Sequence, residues 1–308
     1  GSEANHAITV ILAQSDQATH YRLCKGFEDA QMTDDATLMR YEMTQFLQIS
    51  DTHIVKTGSF VSGRLETSGP LKRLALRIAE LQFEVGPLDG VVVTGDVSDD
   101  GKSESYALFK SILKPLNLPI FCIPGNHDAR APFRAAFEEA GYLPKAGKLN
   151  WQHKLGALQI IGLDTLIEGQ GAGGLDQDSL QFLKTCLTDL KQAPGVVMMH
   201  HPPFKSGMAF MDSIGLQSGT EQFIEILDEH QGEILVLCGH IHRNISTRLA
   251  GHSVISAPSV CSSFLFNTHH DAPIGILKQE GGALLHQWAE GFKSIRIDPV
   301  RGDGPFGF

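Results

Sequence analysis

Five short apolar runs, each closing on polar residues able to hold a metal, constrain this 308-residue chain more than any other feature. Gly90-Val91-Val92-Val93-Thr94 is β-branched and uninterrupted, as expected for a strand buried on both faces. Residues 118–123, 196–199 and 234–238 are further runs of this kind, 45–50 is strand-like, and 158–163 adds a sixth run. Between them lie helical patterns: Leu71, Leu74, Ala75, Ile78, Ala79 and Leu81; then Leu180, Leu183, Leu187 and Leu190; then Phe223, Ile224, Ile226 and Leu227. After Arg243 helical spacing stops and short strands are expected at 246–249, 252–256, 274–279 and 283–288. This alternation predicts an α/β fold of two sheets with helices outside them.

Composition narrows the function classes. Hydrophobic residues are 42% and charged residues 19% of the chain, which excludes a disordered polyelectrolyte. No apolar run approaches the ~18 residues that a membrane span needs. The formal charge is −10, so a large nucleic acid or an anionic membrane is not the expected partner, whereas a small anion held by metal ions remains compatible. The five cysteines are odd in number and far apart; Cys122 and Cys238 fall inside buried-strand runs, as small hydrophobes of a reducing compartment do. The apolar run 7–13 has no basic residues before it, so a cytoplasmic protein is the expectation. Residues 1–42 are expected to be an N-terminal arm and 43–308 the catalytic domain.

The polar ends carry the chemistry. They are Asp51-Thr52-His53, Gly95-Asp96, Gly125-Asn126-His127-Asp128, His200-His201-Pro202-Pro203 and Gly239-His240-Ile241-His242. In α/β sheets the site lies outside the carboxyl ends of the strands, so these five ends are expected in one crevice. Residues two apart in an extended segment point the same way, which would aim Asp51 with His53, and His240 with His242, at a common cation. Glycine before Asp96, Asn126 and His240 allows close backbone approach. Carboxylate, imidazole and amide ligands without thiolate suit Mn, Fe, Co, Ni or Zn better than Ca. Seven such ligands exceed what one ion needs; two divalent ions sharing a carboxylate use them all. A lone strand-end histidine is usually structural, but five such elements in this order are not a chance pattern.

These motifs resemble the calcineurin-like metallophosphoesterase superfamily over about 43–260. Ile49-Ser50-Asp51-Thr52-His53, the run Thr94 to Gly101, His200-His201-Pro202-Pro203-Phe204 and the run Met211 to Leu216 look like its bacterial class III cyclic-nucleotide phosphodiesterase branch. The resemblance implies a four-layer α/β/β/α sandwich of two mixed sheets flanked by helices. It also implies one metal on Asp51, His53 and His242, a second on Asn126, His200 and His240, and Asp96 bridging them. His201 does not match a ligand position. His127 matches the family's non-ligand histidine, which faces the scissile phosphate and donates a proton or hydrogen bond to the leaving oxygen. The implied reaction is attack of a metal-bridging hydroxide on a cyclic nucleotide or another small phosphodiester. A phosphomonoesterase using the same site is the alternative, and a non-catalytic metal-binding scaffold a further one. Asp128 either orients His127 or closes a surface turn. Asp99 and Asp100 are expected to be a solvated acidic turn. Asn126 and His127, with Asp212, His269 and His270, are the candidate substrate contacts; for the last three a plain loop role is the competing reading. Apolar residues of the arm and of Phe264-Leu265-Phe266 suggest a homodimer.

Overall fold

The computed structural model describes residues 43–307, so the expected arm 1–42, with Cys24 and its apolar run, lies outside the described residues. The strands are β1 Thr44–Ile49, β2 Gly90–Val93, β3 Ile120–Cys122, β4 Trp151–Leu155, β5 Leu158–Gly162, β6 Gly173–Gly174, β7 Gly195–Met198, β8 Leu216–Ser218, β9 Ile234–Cys238, β10 Ile245–Leu249, β11 His252–Ser256, β12 Ser263–Phe264, β13 Ile276–Leu277, β14 Ala283–Trp288 and β15 Phe292–Ile297. The helices are α1 Ser68–Val85, α2 Ser103–Leu113, α3 Arg130–Phe137, α4 Gln177–Leu190, α5 Ala209–Ser213 and α6 Thr220–Asp228.

Two large mixed sheets form, in the orders β15-β14-β1-β2-β3 and β10-β11-β9-β7-β5-β4. In the first, β1, β2 and β3 are parallel and β14 and β15 run against them. In the second, β5, β7, β9 and β11 are parallel, with antiparallel edges β4 and β10. Period-2 alternation sorts the side chains into layers. From β1, Phe46 enters the core between the sheets while Leu47 and Ile49 face the helices. Helices α1, α2 and α3 cover the outer face through Leu71, Leu74, Ile78, Phe109 and Phe133. Helices α4 and α6 cover the second sheet through Leu180, Leu183, Leu187, Phe223 and Leu227. Asp176 opens α4 by accepting a hydrogen bond from Ser179 N at 2.9 Å. The result is the expected α/β/β/α sandwich.

Departures from the expected elements have local causes. The run 274–279 contributes only Ile276–Leu277, paired with Ser263–Phe264 in a separate two-stranded piece. Strands β4 and β15 are edges, and the interior of β4 is exposed, so they lack the apolar runs that mark central strands. The amphipathic α2 shows Tyr106, Phe109, Ile112 and Leu113 on one buried face, a pattern the sequence reading passed over.

Candidate metal centre

The five polar ends meet where the carboxyl ends of the two sheets adjoin. Asp51 and His53 follow β1, Asp96 follows β2, Asn126 and His127 follow β3, His200 follows β7, and His240 and His242 follow β9. They do not converge by extended alternation, as the sequence suggested. Asp51, His53, Asp96, His240 and His242 all have left-handed backbone, with φ of 52°, 43°, 47°, 69° and 50°. That region costs L-residues about 1–2 kcal/mol each, so the surroundings must enforce it. They do: Asp51 N donates to Gly95 O at 3.1 Å and His53 N to Asp96 O at 2.9 Å. His240 N donates to Asp51 Oδ1 at 3.1 Å, and Ser259 Oγ to Asp51 O at 2.8 Å. The two sheets thus grip one another at the candidate ligands. Glycine is required here by contact: a Cβ on Gly95 would lie 2.3 Å from the His200 ring, and one on Gly125 would lie 2.1 Å from Asp96 Oδ1.

Two donor sets share one carboxylate. In the first, His53 Nε2 lies 3.1 Å from His242 Nε2, and His242 Nε2 lies 3.4 Å from Asp51 Oδ1. In the second, Asn126 Oδ1 lies 3.1 Å from His200 Nε2 and 3.0 Å from His240 Nδ1. Asp96 Oδ2 stands between the sets, 3.6 Å from His53 Nε2 and 3.4 Å from His200 Nε2. The hydrogen bonds behind the rings decide what faces inward. His53 Nδ1 meets the Asp99 carboxylate at 3.0 Å, and His200 Nδ1 meets Thr94 O at 2.8 Å. Both partners only accept, so both Nδ1 atoms carry hydrogen, and each ring, when neutral, turns an Nε2 lone pair inward. A neutral His200 then sets a lone pair against the Asn126 amide oxygen, while His242, whose Nδ1 meets Ser262 Oγ at 3.0 Å, faces the His53 lone pair as either donor or acceptor. A proton or a metal ion between them holds such sets together, and the carboxylate, imidazole and amide donors fit two divalent cations with Asp96 shared.

The electrostatics agree. Burial opposes the charge of Asp96, yet His200, His127 and His53 hold its pKa well below the usual carboxylate range. Burial likewise opposes charge on Asp51, and His242 and His200 outweigh it. Burial disfavours protonated His200, but Asp96 and Asp51 push its pKa up to about 9. His201 differs: burial and then the neighbouring His200 push it down to about 3. Both its ring nitrogens are engaged, Nδ1 with Thr165 Oγ1 at 2.8 Å and Nε2 with Gly171 O at 3.1 Å, so nearness to His200 and His240 does not make it a free donor.

The remaining residues divide. His127 is exposed on the cleft; Nδ1 lies 3.2 Å from both the Asp99 carbonyl and its Oδ1, and Nε2 has no hydrogen-bond partner among the described residues. Asp99 is therefore not a solvated turn residue. It touches His53 and His127 together, and although burial opposes ionisation, those two histidines hold it far below the usual range. The sequence signal was its place three residues after Asp96. Asp100 does behave as a turn residue, accepting from Lys102 N and Ser105 Oγ. Asp128 neither orients His127 nor lies on the surface: it is buried and accepts from Val97 N, Ser98 N, Gly125 N and Tyr106 Oη, tying two ligand loops together. Asp212, on α5, turns its carboxylate to Ser206 and Gly207 of the preceding loop and lines a neighbouring cavity. His269 and His270 are exposed and do not line the metal cleft. That cleft, about 150 Å³, carries His127 and the ligand candidates His53, Asp96, Asn126, His240 and His242 on its floor and Met211, Ile214, Phe264 and Ile276 on its rim.

Comparison with known proteins agrees with this geometry. The chain is 32% identical over 244 residues to a probable glycerophosphodiester phosphodiesterase of Arcobacter nitrofigilis, covering 79% of this chain and 88% of that protein. It is 30% identical to a 3′,5′-cyclic adenosine monophosphate phosphodiesterase of Pseudomonas aeruginosa, covering 71% and 76%. The fold is that of a dimetal phosphatase from Danio rerio, with a TM-score of 0.59 at 15% identity over 83% of this chain and 96% of that one. Residues 44–244 match the family model described as calcineurin-like phosphoesterase, the stretch that holds every candidate ligand. The chain belongs to the calcineurin-like phosphoesterase family.

Proposed function

We propose that this chain is a binuclear metal-dependent phosphodiesterase acting on small phosphodiesters, cyclic nucleotides among them. The observation that carries this reading is the pair of inward-facing donor sets sharing Asp96. Asp51, His53 and His242 would hold one ion, Asn126, His200 and His240 the other, and Asp96 both. When bound, two divalent ions supply Lewis-acid activation of the phosphate and of the attacking water. The chain supplies the rest. Left-handed backbone fixes the ligands before substrate arrives. Asp99 holds Nδ1 of His127, leaving Nε2 to give a proton or hydrogen bond to the leaving oxygen. Asn126, beside His127 on the cleft, would contact a phosphate oxygen as well as an ion. Substrate contacts by Asp212, His269 and His270 draw no support from their positions.

The thiolate-free donor set favours Mn, Fe, Zn or Co as the ions. The four cysteines among the described residues are buried and free, which supports a reducing, cytoplasmic setting. Among the described residues no helix is long and apolar enough to cross a membrane. Exposed Leu265, Phe266, Ile274 and Ile276 support a homodimer, which sedimentation at micromolar concentration tests. The function is tested with a chromogenic phosphodiester and its matching monoester, with Mn added. Faster diester turnover, abolished by chelation, is expected. Preference for the monoester would replace the diester reading, and inactivity on both with metal bound would favour a scaffold.

A further inference from the structure

A line of polar side chains runs through the apolar core between the two sheets and ends on Asp51. Gln48, Thr94 and His286 are completely buried on the face whose neighbours are Phe46, Val92 and Leu284. Their hydrogen bonds have a forced direction. Gln48 Nε2 lies 3.0 Å from Cys238 O, which only accepts, so the amide nitrogen is on that side and Oε1 faces His286. His286 Nε2, 3.0 Å from Gln48 Oε1, must donate. Burial keeps His286 neutral, so its Nδ1 accepts from Ser294 Oγ at 2.8 Å on the exposed edge strand β15. Gln48 Nε2 also donates to Thr94 Oγ1 at 3.1 Å. At the far end Ser50 Oγ donates to Asp51 Oδ2 at 2.5 Å, which commits its hydrogen and leaves its oxygen to accept from Thr94 Oγ1 at 2.8 Å. Weaker alternatives exist, Thr94 Oγ1 to Cys238 O and Ser50 Oγ to Thr94 O, both 3.3 Å. The shorter set points every donor toward the carboxylate.

We propose that Ser294, His286, Gln48, Thr94 and Ser50 form a hydrogen-bond chain that positions Asp51 and sets the metal affinity of its site. Aligned donors polarise one another, so each link strengthens the next and the last fixes the Asp51 rotamer. A structural role alone explains the chain poorly. Burying these groups among apolar neighbours is costly, and replacing paired polar groups together by apolar ones is often neutral or stabilising. Cys238 O would stay satisfied without Gln48, since Ala257 N donates to it at 2.9 Å. Ser294 would turn to solvent.

The inference rests on Asp51 being a metal ligand, and the test separates the two. Metal-free protein, prepared by chelation, is titrated with Mn(II) or Co(II), and the melting temperature of each metal-free variant is measured. Removing the partner of a metal ligand typically costs about 10–100-fold in affinity; Ser50→Ala should fall in that range. The double variant Gln48→Leu with His286→Leu, one link further away, should lose roughly threefold or more with an unchanged or higher melting temperature. His286→Gln, which can still donate to Gln48 Oε1, should stay near wild type. If the double variant fails to fold, the isosteric Thr94→Val cuts the same chain and is judged by the same criterion. Wild-type metal affinity in the chain-cutting variant, with Asp51→Asn losing affinity, would overturn the chain and leave the metal centre standing. Wild-type affinity in Asp51→Asn itself would overturn the metal-site assignment and the chain with it.

Discussion

The floor and the rim of the cleft are built on opposite principles. Apart from exposed His127, the floor and the carboxylates beneath it are buried, charged and over-determined: five candidate ligands hold left-handed φ, and Asp51, Asp96 and Asp128 are each tied to a neighbouring loop. The rim is apolar and comes from short elements. Phe264 lies 4.5 Å from the His242 ring and is held by Arg243, which donates to Phe264 O through Nε at 2.9 Å and Nη2 at 2.7 Å. Ile276, on the two-residue strand opposite, is 47% exposed. The contrast teaches where the protein fixes chemistry and where it leaves room for shape: strain is concentrated where charges must meet, and the rim surrounds whatever the phosphate carries.

The largest expected break falls on the floor. Chelation, or Asp96→Ala, should remove both ions together and lower turnover by more than about 10³-fold, the scale of several kcal/mol of charge stabilisation. Metal stoichiometry with kcat measures it; an Asp96→Ala protein that keeps two ions would disprove sharing. His127→Ala should keep its metals and lose about 10²–10⁴ in kcat. That loss should shrink for a nitrophenyl ester, whose leaving group needs no proton. If His127→Ala loses metal as Asp96→Ala does, His127 is a ligand. Asp99→Asn should come next, with about 10–100-fold lower activity, because one carboxylate serves both His53 and His127. Phe264→Ala should show the smallest effect, raising KM by roughly tenfold or less, within the ~1.5–3 kcal/mol of a fully buried side chain. Unchanged metal content and kcat are expected there; a fall in kcat would erase the division between floor and rim.

Much of this was legible in the chain. The central strands announce themselves as apolar runs because they are covered on both sides, and their polar ends mark the crevice. Edge strands β4 and β15 were not legible, since one-sided burial leaves no continuous run. Asp99 and Asp128 were misread for a related reason. An acidic residue after a strand looks the same whether it faces water or a histidine, and only the packing of the loop after β2 against the loop after β3 distinguishes them.

The sequence by itself determined the ligand types, their order along the chain and the α/β alternation that carries them, because residue chemistry and period need no third dimension. Only the tertiary structure decided how they converge. Asp51 and His53 are aimed by left-handed backbone held from β2 and β9, not by extension. The line from Ser294 to Asp51 contains a bond between residues 238 positions apart, and it exists only because β15, β14, β1 and β2 lie side by side in one sheet.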